Sequence, residues 1–191
     1  MPLNAHGILG LQAGEDVNAF TASCAPSVRE KPAKVPAEYL HLEKRFKSEN
    51  AVEKMNLGQT GSVFFYDKKL WSVKSASDMA IDFETRRFTN AKIFIYNESI
   101  PMKDIYKNIA QRYDMKDARL MESEFVNVNS SIVIFNAMEG VINRRDVSIL
   151  SYGFSEGSST IIVHCFLYKG MLRPETRQEI IEFLNGFVAK G

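Results

Sequence analysis

The sequence is poor in cysteine and histidine, the residues that most often build disulfide frameworks and transition-metal sites. It has two cysteines, Cys24 and Cys165, and three histidines, His6, His41 and His164. Two cysteines are too few for a disulfide framework, and zinc requires three or four ligands at converging spacings. The histidines fall in three separate segments, and the sequence has no C-x-x-C or H-x-x-x-H pair. These absences argue against a metal site, and no cofactor is predicted.

The sequence also has no excess of charge of either sign, because its 24 basic and 23 acidic residues give a formal net charge of +1. Binding to nucleic acid or to an acidic membrane normally requires a larger basic excess. No apolar run approaches the roughly 20 residues that a membrane-spanning helix needs. The sequence therefore predicts neither a nucleic-acid partner nor a membrane span, while its 45% hydrophobic content predicts a real core.

The chain of 191 residues is expected to form one domain with an N-terminal extension. Residues 1–36 are predicted to be an irregular, Pro-rich arm, since they contain four prolines and little periodicity. Residues 37–57 are predicted to form an amphipathic helix, and residues 58–191 a single α+β domain. Cys24 follows three small residues, as in bacterial lipoproteins, which makes it a candidate lipid anchor, although the arm lacks the charged start of a secretory leader.

The helix predicted at 37–57 depends on an interrupted apolar stripe. Tyr39, Leu42, Phe46 and Val52 share one side, and charged residues take most of the other positions. Two interpretations stay open for this segment: a solvated helix with one apolar side, or a helix that docks a partner.

From residue 61 onwards the pattern is typical of strands, with two helices interposed. The first two strands flank Asp67-Lys68-Lys69, a gap of turn size, and are expected to pair as a hairpin. Turns rich in Gly, Asn and Ser separate the later strands, so neighbours should pair antiparallel. The predicted strands are 62–66, 70–74, 79–85, 91–97, 119–126, 130–138, 146–154 and 160–169, and the predicted helices are 99–113 and 174–189.

The last predicted strand, within SSTIIVHCFLYK at 158–169, is apolar on both sides. Ile161, Val163 and Cys165 face one way, and Ile162 and His164 face the other, because alternate residues of a strand point to opposite sides. A strand of this kind usually lies in the middle of a sheet that is covered on both faces. We therefore predict an α+β fold, with an antiparallel sheet of about seven strands and helices on both faces.

One aromatic cluster and the order of the elements resemble a known family. Phe65-Tyr66 is followed shortly by Trp71, a helix begins at Ser99-Ile100-Pro101, and a meander leads to a closing strand and helix. This arrangement, over about residues 61–189, resembles the PsbP-like superfamily, an α/β/α sandwich. Relatives include PsbP of the plant oxygen-evolving complex, the fungal Ran-binding import factor and DcrB-type envelope lipoproteins.

The resemblance implies a role in binding or stabilising partners rather than in catalysis, and no binding residue of the family carries over to this sequence. It favours an exported, periplasmic protein, whereas the missing leader leaves a cytoplasmic location open.

The residues themselves supply no catalytic set. His164 and Cys165 are adjacent on a strand and should point to opposite faces, so they cannot form a nucleophilic pair. No Gly-x-Ser-x-Gly elbow is present. We predict no catalytic residue and expect that the chain is not an enzyme.

The main functional hypothesis is a non-catalytic binding or scaffold module, an accessory component of a larger assembly such as one in a bacterial envelope or secretion machine. Its partner would be a protein. Two arginine pairs in turns and two aromatic residues of the predicted N-terminal helix form the candidate partner surface: Arg86, Arg87, Arg144, Arg145, Tyr39 and Phe46.

The alternative hypothesis is a small-ligand carrier or enzyme with a pocket between sheet and helix. Such a pocket would be lined by some of the aromatic residues Trp71, Tyr96, Tyr106, Tyr152 and Tyr168, which are otherwise expected in the core. A deep, partly polar cavity would favour this hypothesis.

Overall fold

Alternating apolar residues over most of the chain produce a structure that is mainly β-sheet, with two short helices. The computed structural model describes residue 39, residues 41–85 and residues 89–190. The strands are β1 (Lys44–Arg45), β2 (Glu53–Asn56), β3 (Val63–Tyr66), β4 (Trp71–Ala76), β5 (Ala80–Thr85), β6 (Asn90–Tyr96), β7 (Lys116–Val128), β8 (Ser131–Ile142), β9 (Arg145–Glu156), β10 (Ser159–Tyr168) and β11 (Phe187–Val188). The helices are α1 (Ile105–Arg112) and α2 (Pro174–Leu184).

The strands form two sheets. The larger sheet has eight strands in the order β1-β7-β8-β9-β10-β6-β5-β4, and the smaller has three in the order β11-β3-β2. Neighbours pair antiparallel except β1, which runs parallel to β7. The α+β class and the antiparallel meander of β7 to β10 agree with the prediction. The larger sheet has eight strands where about seven were predicted, and the sequence analysis missed the two-residue strand β1 and the separate small sheet.

Strand β10 lies inside the larger sheet, between β9 and β6, and is buried on both faces. Ile161 and Val163 belong to one apolar cluster, with α2 and the small sheet, whereas Ile162 belongs to a second cluster, with α1. Because neighbouring residues of a strand point in opposite directions, the two clusters lie on opposite faces of β10. The buried helix residues are Ile105 and Ile109 of α1, and Ile180, Phe183 and Leu184 of α2.

No helix in the described part of the chain has the length and apolarity to cross a membrane.

The predicted helix at 37–57 is wrong for residues 41–57, which contribute β1 and β2. Phe46 and Val52, two members of the supposed apolar stripe, are each 66% exposed, while Leu57 is fully buried. The backbone N–H of Asn127 donates to the carbonyl of Glu43, and β2 pairs with β3. Pairing with the two sheets therefore overrides the weak helical period of this segment. The predicted arm at 1–36 lies outside the described residues.

The predicted hairpin of the first two strands is also wrong, since β3 belongs to the small sheet and β4 to the larger one. The closing helix ends at Leu184 instead of continuing to 189, and Phe187 and Val188 pair with β3 as β11. Gly186 makes this possible because its carbonyl accepts the N–H of Phe65 at 2.8 Å, in a backbone approach that leaves no room for a side chain. A close backbone contact, which the residue pattern does not encode, thus determines the partner of β3.

We expect Gly186→Ala to destabilise the protein by about 1–3 kcal/mol, in the range of other overpacked sites. An added Cβ would overlap the carbonyl oxygen of Phe65, which is fixed in the small sheet. Gly170→Ala is the matched control, because no described atom lies within 4 Å of its added Cβ. Urea unfolding of both variants measures the free energies. Equal stabilities for the two variants would contradict the close approach at Gly186.

Candidate binding surfaces

Helix α1 is too short to cover its face of the sheet. Its 8 residues span about 12 Å, whereas the 10 residues of β10 span about 33 Å. Beyond Tyr113, which follows the helix, a pocket of about 470 Å³ opens over the sheet. We call it the end pocket; it is lined by Asn90, Tyr113, Ile142, Asn143, Arg145, Val147, Phe166, Leu167 and Tyr168.

The rim of the end pocket carries one cationic side chain, Arg145. Its guanidinium lies over the ring of Tyr168, 5.2 Å from the ring centre, and donates a hydrogen bond to the Tyr168 hydroxyl. Among the described residues, no carboxylate forms an ion pair with Arg145. The positive charge at the rim is therefore held in place by an aromatic ring and is not neutralised within the described part of the chain.

A tight turn positions Arg145. Asn143 and Arg144 connect β8 to β9 and both have positive φ angles, 50° and 64°, as the favoured two-residue hairpin turns require. Arg145 is the first residue of β9 and pairs with Ile142, the last residue of β8. Of the predicted arginine pair, Arg145 therefore lines the pocket, while Arg144 lies at the tip of the turn.

The inner wall of the end pocket is neutral. The hydroxyl of Tyr113 lies 2.7 Å from Nε2 of His164, a fully buried residue whose ring also packs 5.1 Å from that of Phe94. Burial lowers the pKa of His164 to about 3 and raises the pKa of the Tyr113 hydroxyl. Both groups are uncharged near neutral pH, so the wall supplies hydrogen-bonding capacity but no charge.

His164 also belongs to a row of polar residues that crosses the sheet. Asp82, Lys92, His164, Ser151 and Asn136 are successive cross-strand partners on β5, β6, β10, β9 and β8. Lys92 and Asp82 form an ion pair of 2.8 Å at one end. His164 Nδ1, Ser151 Oγ and Asn136 Nδ2 are buried and have no hydrogen-bond partner among the described residues. The sequence analysis missed this row, because only the strand register brings these residues together.

Cys165 lies on the other face from His164, as predicted. It is fully buried in the cluster that contains α2, and burial raises the pKa of its thiol. A protonated thiol and a neutral imidazole on opposite faces cannot act as a nucleophile and its base. Within residues 39, 41–85 and 89–190, no three His, Cys, Asp or Glu residues are grouped so as to hold a metal ion.

The structure does not bring together all the residues of the candidate partner surface. The rings of Tyr39 and Phe125 pack with 5.8 Å between their centres. The exposed Phe46 follows β1, which pairs with the last two residues of β7. Arg144 lies at the far end of β8, whose 12 residues span about 40 Å. The two aromatic residues and Arg144 with Arg145 therefore occupy opposite ends of the sheet. Arg86 and Arg87 lie outside the described residues.

Of the five aromatic residues in the alternative pocket, only Tyr168 lines the end pocket. Trp71 is 7% exposed and stacks on Phe183, with 4.0 Å between ring centres. Tyr152 is 1% exposed, and its hydroxyl donates a hydrogen bond of 2.8 Å to Oδ1 of Asn185. These rings fill the interior, whereas the end pocket lies where helix α1 stops.

Similarity to known proteins is visible in structure and not in sequence. No protein-family model and no curated protein matches this sequence. The Ran-binding protein Mog1p of Saccharomyces cerevisiae aligns with a TM-score of 0.53 at 8% identity, over 72% of this chain and 94% of Mog1p. Cyanobacterial PsbP (CyanoP) of Synechocystis sp. PCC 6803 aligns with a TM-score of 0.49 at 14% identity, over 75% of this chain and 95% of CyanoP. Identities this low establish the fold alone, and the chain has the PsbP-like fold predicted from its sequence.

Burial of a neutral His164 predicts a specific loss of stability in acid. In the unfolded chain His164 takes up a proton near pH 6.5, whereas in the folded chain its pKa is about 3. Between these two pH values the unfolded state therefore binds more protons than the folded state does. Folding stability therefore falls as the pH falls through this window, by about 2 kcal/mol between about pH 7 and about pH 5. The double variant His164→Phe/Tyr113→Phe removes both hydrogen-bonding partners together. It should not show the loss of folding stability that protonation of His164 causes in the wild type.

Urea unfolding of the wild type and of the double variant at both pH values tests the expectation. His41→Phe, at an exposed position, is the control and should keep the wild-type pH dependence. An equal loss of stability in the wild type and the double variant would show that His164 is not buried in its neutral form.

Proposed function

We propose that this chain, with its PsbP-like fold, is a non-catalytic binding module that docks a protein partner in a larger assembly. The observation that carries the proposal is an exposed, cationic and apolar surface, which we call the basic end and which consists of Arg144, Arg145, Tyr168 and Met171. Tyr168 is 45% exposed and Met171 40% exposed. Arginine, tyrosine and methionine are enriched at protein interfaces, and buried tyrosine and arginine often carry most of the binding energy.

The basic end suits a partner segment with acidic side chains. Arg145 is held over the ring of Tyr168, so little side-chain freedom is lost when a carboxylate binds it. Charge-assisted hydrogen bonds between arginine and carboxylate are stronger than neutral ones and add directional specificity. Mog1p is described as Ran-binding, and we carry over from it only the general role of binding a protein.

The scaffold for this surface, in the proposal, is an α/β/α sandwich with a helix on each face of the larger sheet. The interior supports a non-catalytic role because His164 and Cys165 are both buried and uncharged. A place in a bacterial envelope or secretion assembly is part of the same proposal. The candidate lipid anchor, Cys24, lies outside the described residues.

A second candidate function is that of a small-ligand carrier. The end pocket favours it, because its volume of about 470 Å³ lies within the range of small-molecule sites. The two functions share Arg145 and Tyr168, which line the end pocket as well as belonging to the basic end. They differ in that a protein partner also contacts the exposed side chains of Arg144 and Met171, whereas a small ligand enters the pocket.

Photo-cross-linking tests the protein-binding proposal. A benzoylphenylalanine placed at Met171 should form an adduct with the partner in extracts of the source organism, whereas the same group at Phe46, which is more exposed and lies at the opposite end of the sheet, should not. Adding Arg144→Glu and Arg145→Glu should abolish the adduct through charge repulsion. The control Lys44→Glu/Lys54→Glu makes the same charge change at exposed positions elsewhere and should retain it. An adduct from position 46 alone, or one that survives the arginine reversal, would contradict the proposal.

A further inference from the structure

The end pocket has a floor and inner wall suited to an apolar group. Ile142, Val147 and Phe166 lie on the part of the sheet that α1 leaves uncovered, and the ring of Tyr113 closes the side towards the helix. Phe166 and Tyr113 pack with 5.9 Å between ring centres. An apolar or aromatic body placed here would be removed from water without any rearrangement of the core.

The polar groups of the pocket are concentrated at its rim. Arg145 is the one charged residue among the described lining residues, and the amides of Asn90 and Asn143 are the other polar side chains besides the two tyrosines. Arg145 has no carboxylate partner among the described residues, and the nearby wall is formed by the neutral side chain of Tyr113, whose hydroxyl lies beside the buried His164. A cationic ligand would meet repulsion at the rim, a neutral ligand would leave the charge unmatched, and an anionic ligand would satisfy it.

We propose that the end pocket binds an amphipathic organic anion, with its apolar or aromatic body against Val147 and Phe166 and its carboxylate, sulfonate or phosphate group at Arg145. The inference rests on the second candidate function and names its ligand class. It does not require the protein partner: Arg145 and Tyr168 are shared with the basic end, but the apolar body would contact Val147, Phe166 and Tyr113, which are not part of the surface assigned to that partner.

A pair of fluorescent probes separates the apolar and the anionic requirements. Anilinonaphthalene sulfonate and N-phenylnaphthylamine share the same aromatic body, but only the first carries an anionic group. Each is titrated against the purified full-length chain and its variants. The wild type should bind the sulfonate at one site per chain, and Arg145→Gln should weaken this binding by at least about tenfold while leaving the affinity for the neutral probe unchanged.

Two further variants locate the site. Arg173→Gln makes the same change at an exposed arginine that does not line the pocket, and it should bind both probes as the wild type does. Ile142→Trp fills the pocket from its partly exposed edge and should abolish binding of both probes. Thermal unfolding of each variant confirms that it is folded.

If Arg145→Gln and Arg173→Gln weakened binding of the sulfonate probe equally, the proposal would be overturned. Probe binding that survives Ile142→Trp would also overturn it. Loss of binding of the neutral probe in Arg145→Gln would also overturn it, because the arginine would then maintain the shape of the pocket and would not bind the ligand through its charge. These outcomes are independent of the cross-linking result, since no partner protein is present.

Discussion

Strand β10 has to be kept from water on both faces, and this constraint organises the rest of the fold. Ile161, Ile162 and Val163 are each at most 1% exposed, although they point alternately to the two sides of the sheet. Burying one large aliphatic side chain contributes about 1.5–3 kcal/mol, so a loss of cover on either face would remove a large part of the stability of a domain this size. The two apolar clusters that contain these residues therefore have to form together.

The two clusters are not covered from solvent to the same extent, and the candidate site lies where the cover is incomplete. The cluster that contains Ile161 is closed by α2 and by the small sheet, with Phe64 and Phe187 fully or almost fully buried. The cluster that contains Ile162 is closed by α1 and by the short 3-10 helix Met102–Asp104 that precedes it, and α1 is shorter than the strands beneath it. The uncovered remainder is the end pocket. At its inner wall, the hydrogen bond between Tyr113 and His164 ties the residue that follows α1 to the central strand.

The sequence predicted what depends on local pattern and missed what depends on contacts between distant segments. The meander from β7 to β10 and the burial of β10 follow from alternation, which is a local signal. The strand at Lys44–Arg45 has no such signal: Arg45 is held by Glu124 at 3.1 Å and by the hydroxyl of Tyr152 at 3.0 Å, residues far away in the chain. Arg144 and Arg145 could be assigned to a turn from sequence, but the role of Arg145 at a pocket depends on where α1 ends.

The same long-range contacts make the two ends of the sheet differ in how far their charged side chains are already paired. At the end near β1, Asn129 accepts the N–H of Lys47 and donates to the carbonyls of Asn185 and Phe187, and Arg45 is paired with Glu43 and Glu124. The hydrogen-bonding groups there are engaged in joining β1, the turn after β7 and the segment that follows α2. At the other end, Arg145 contacts the side chain of Tyr168 and has no carboxylate partner among the described residues. Under the proposal, a ligand or partner at the basic end meets an arginine without a carboxylate partner among the described residues, whereas binding at the β1 end would have to displace contacts that join distant segments.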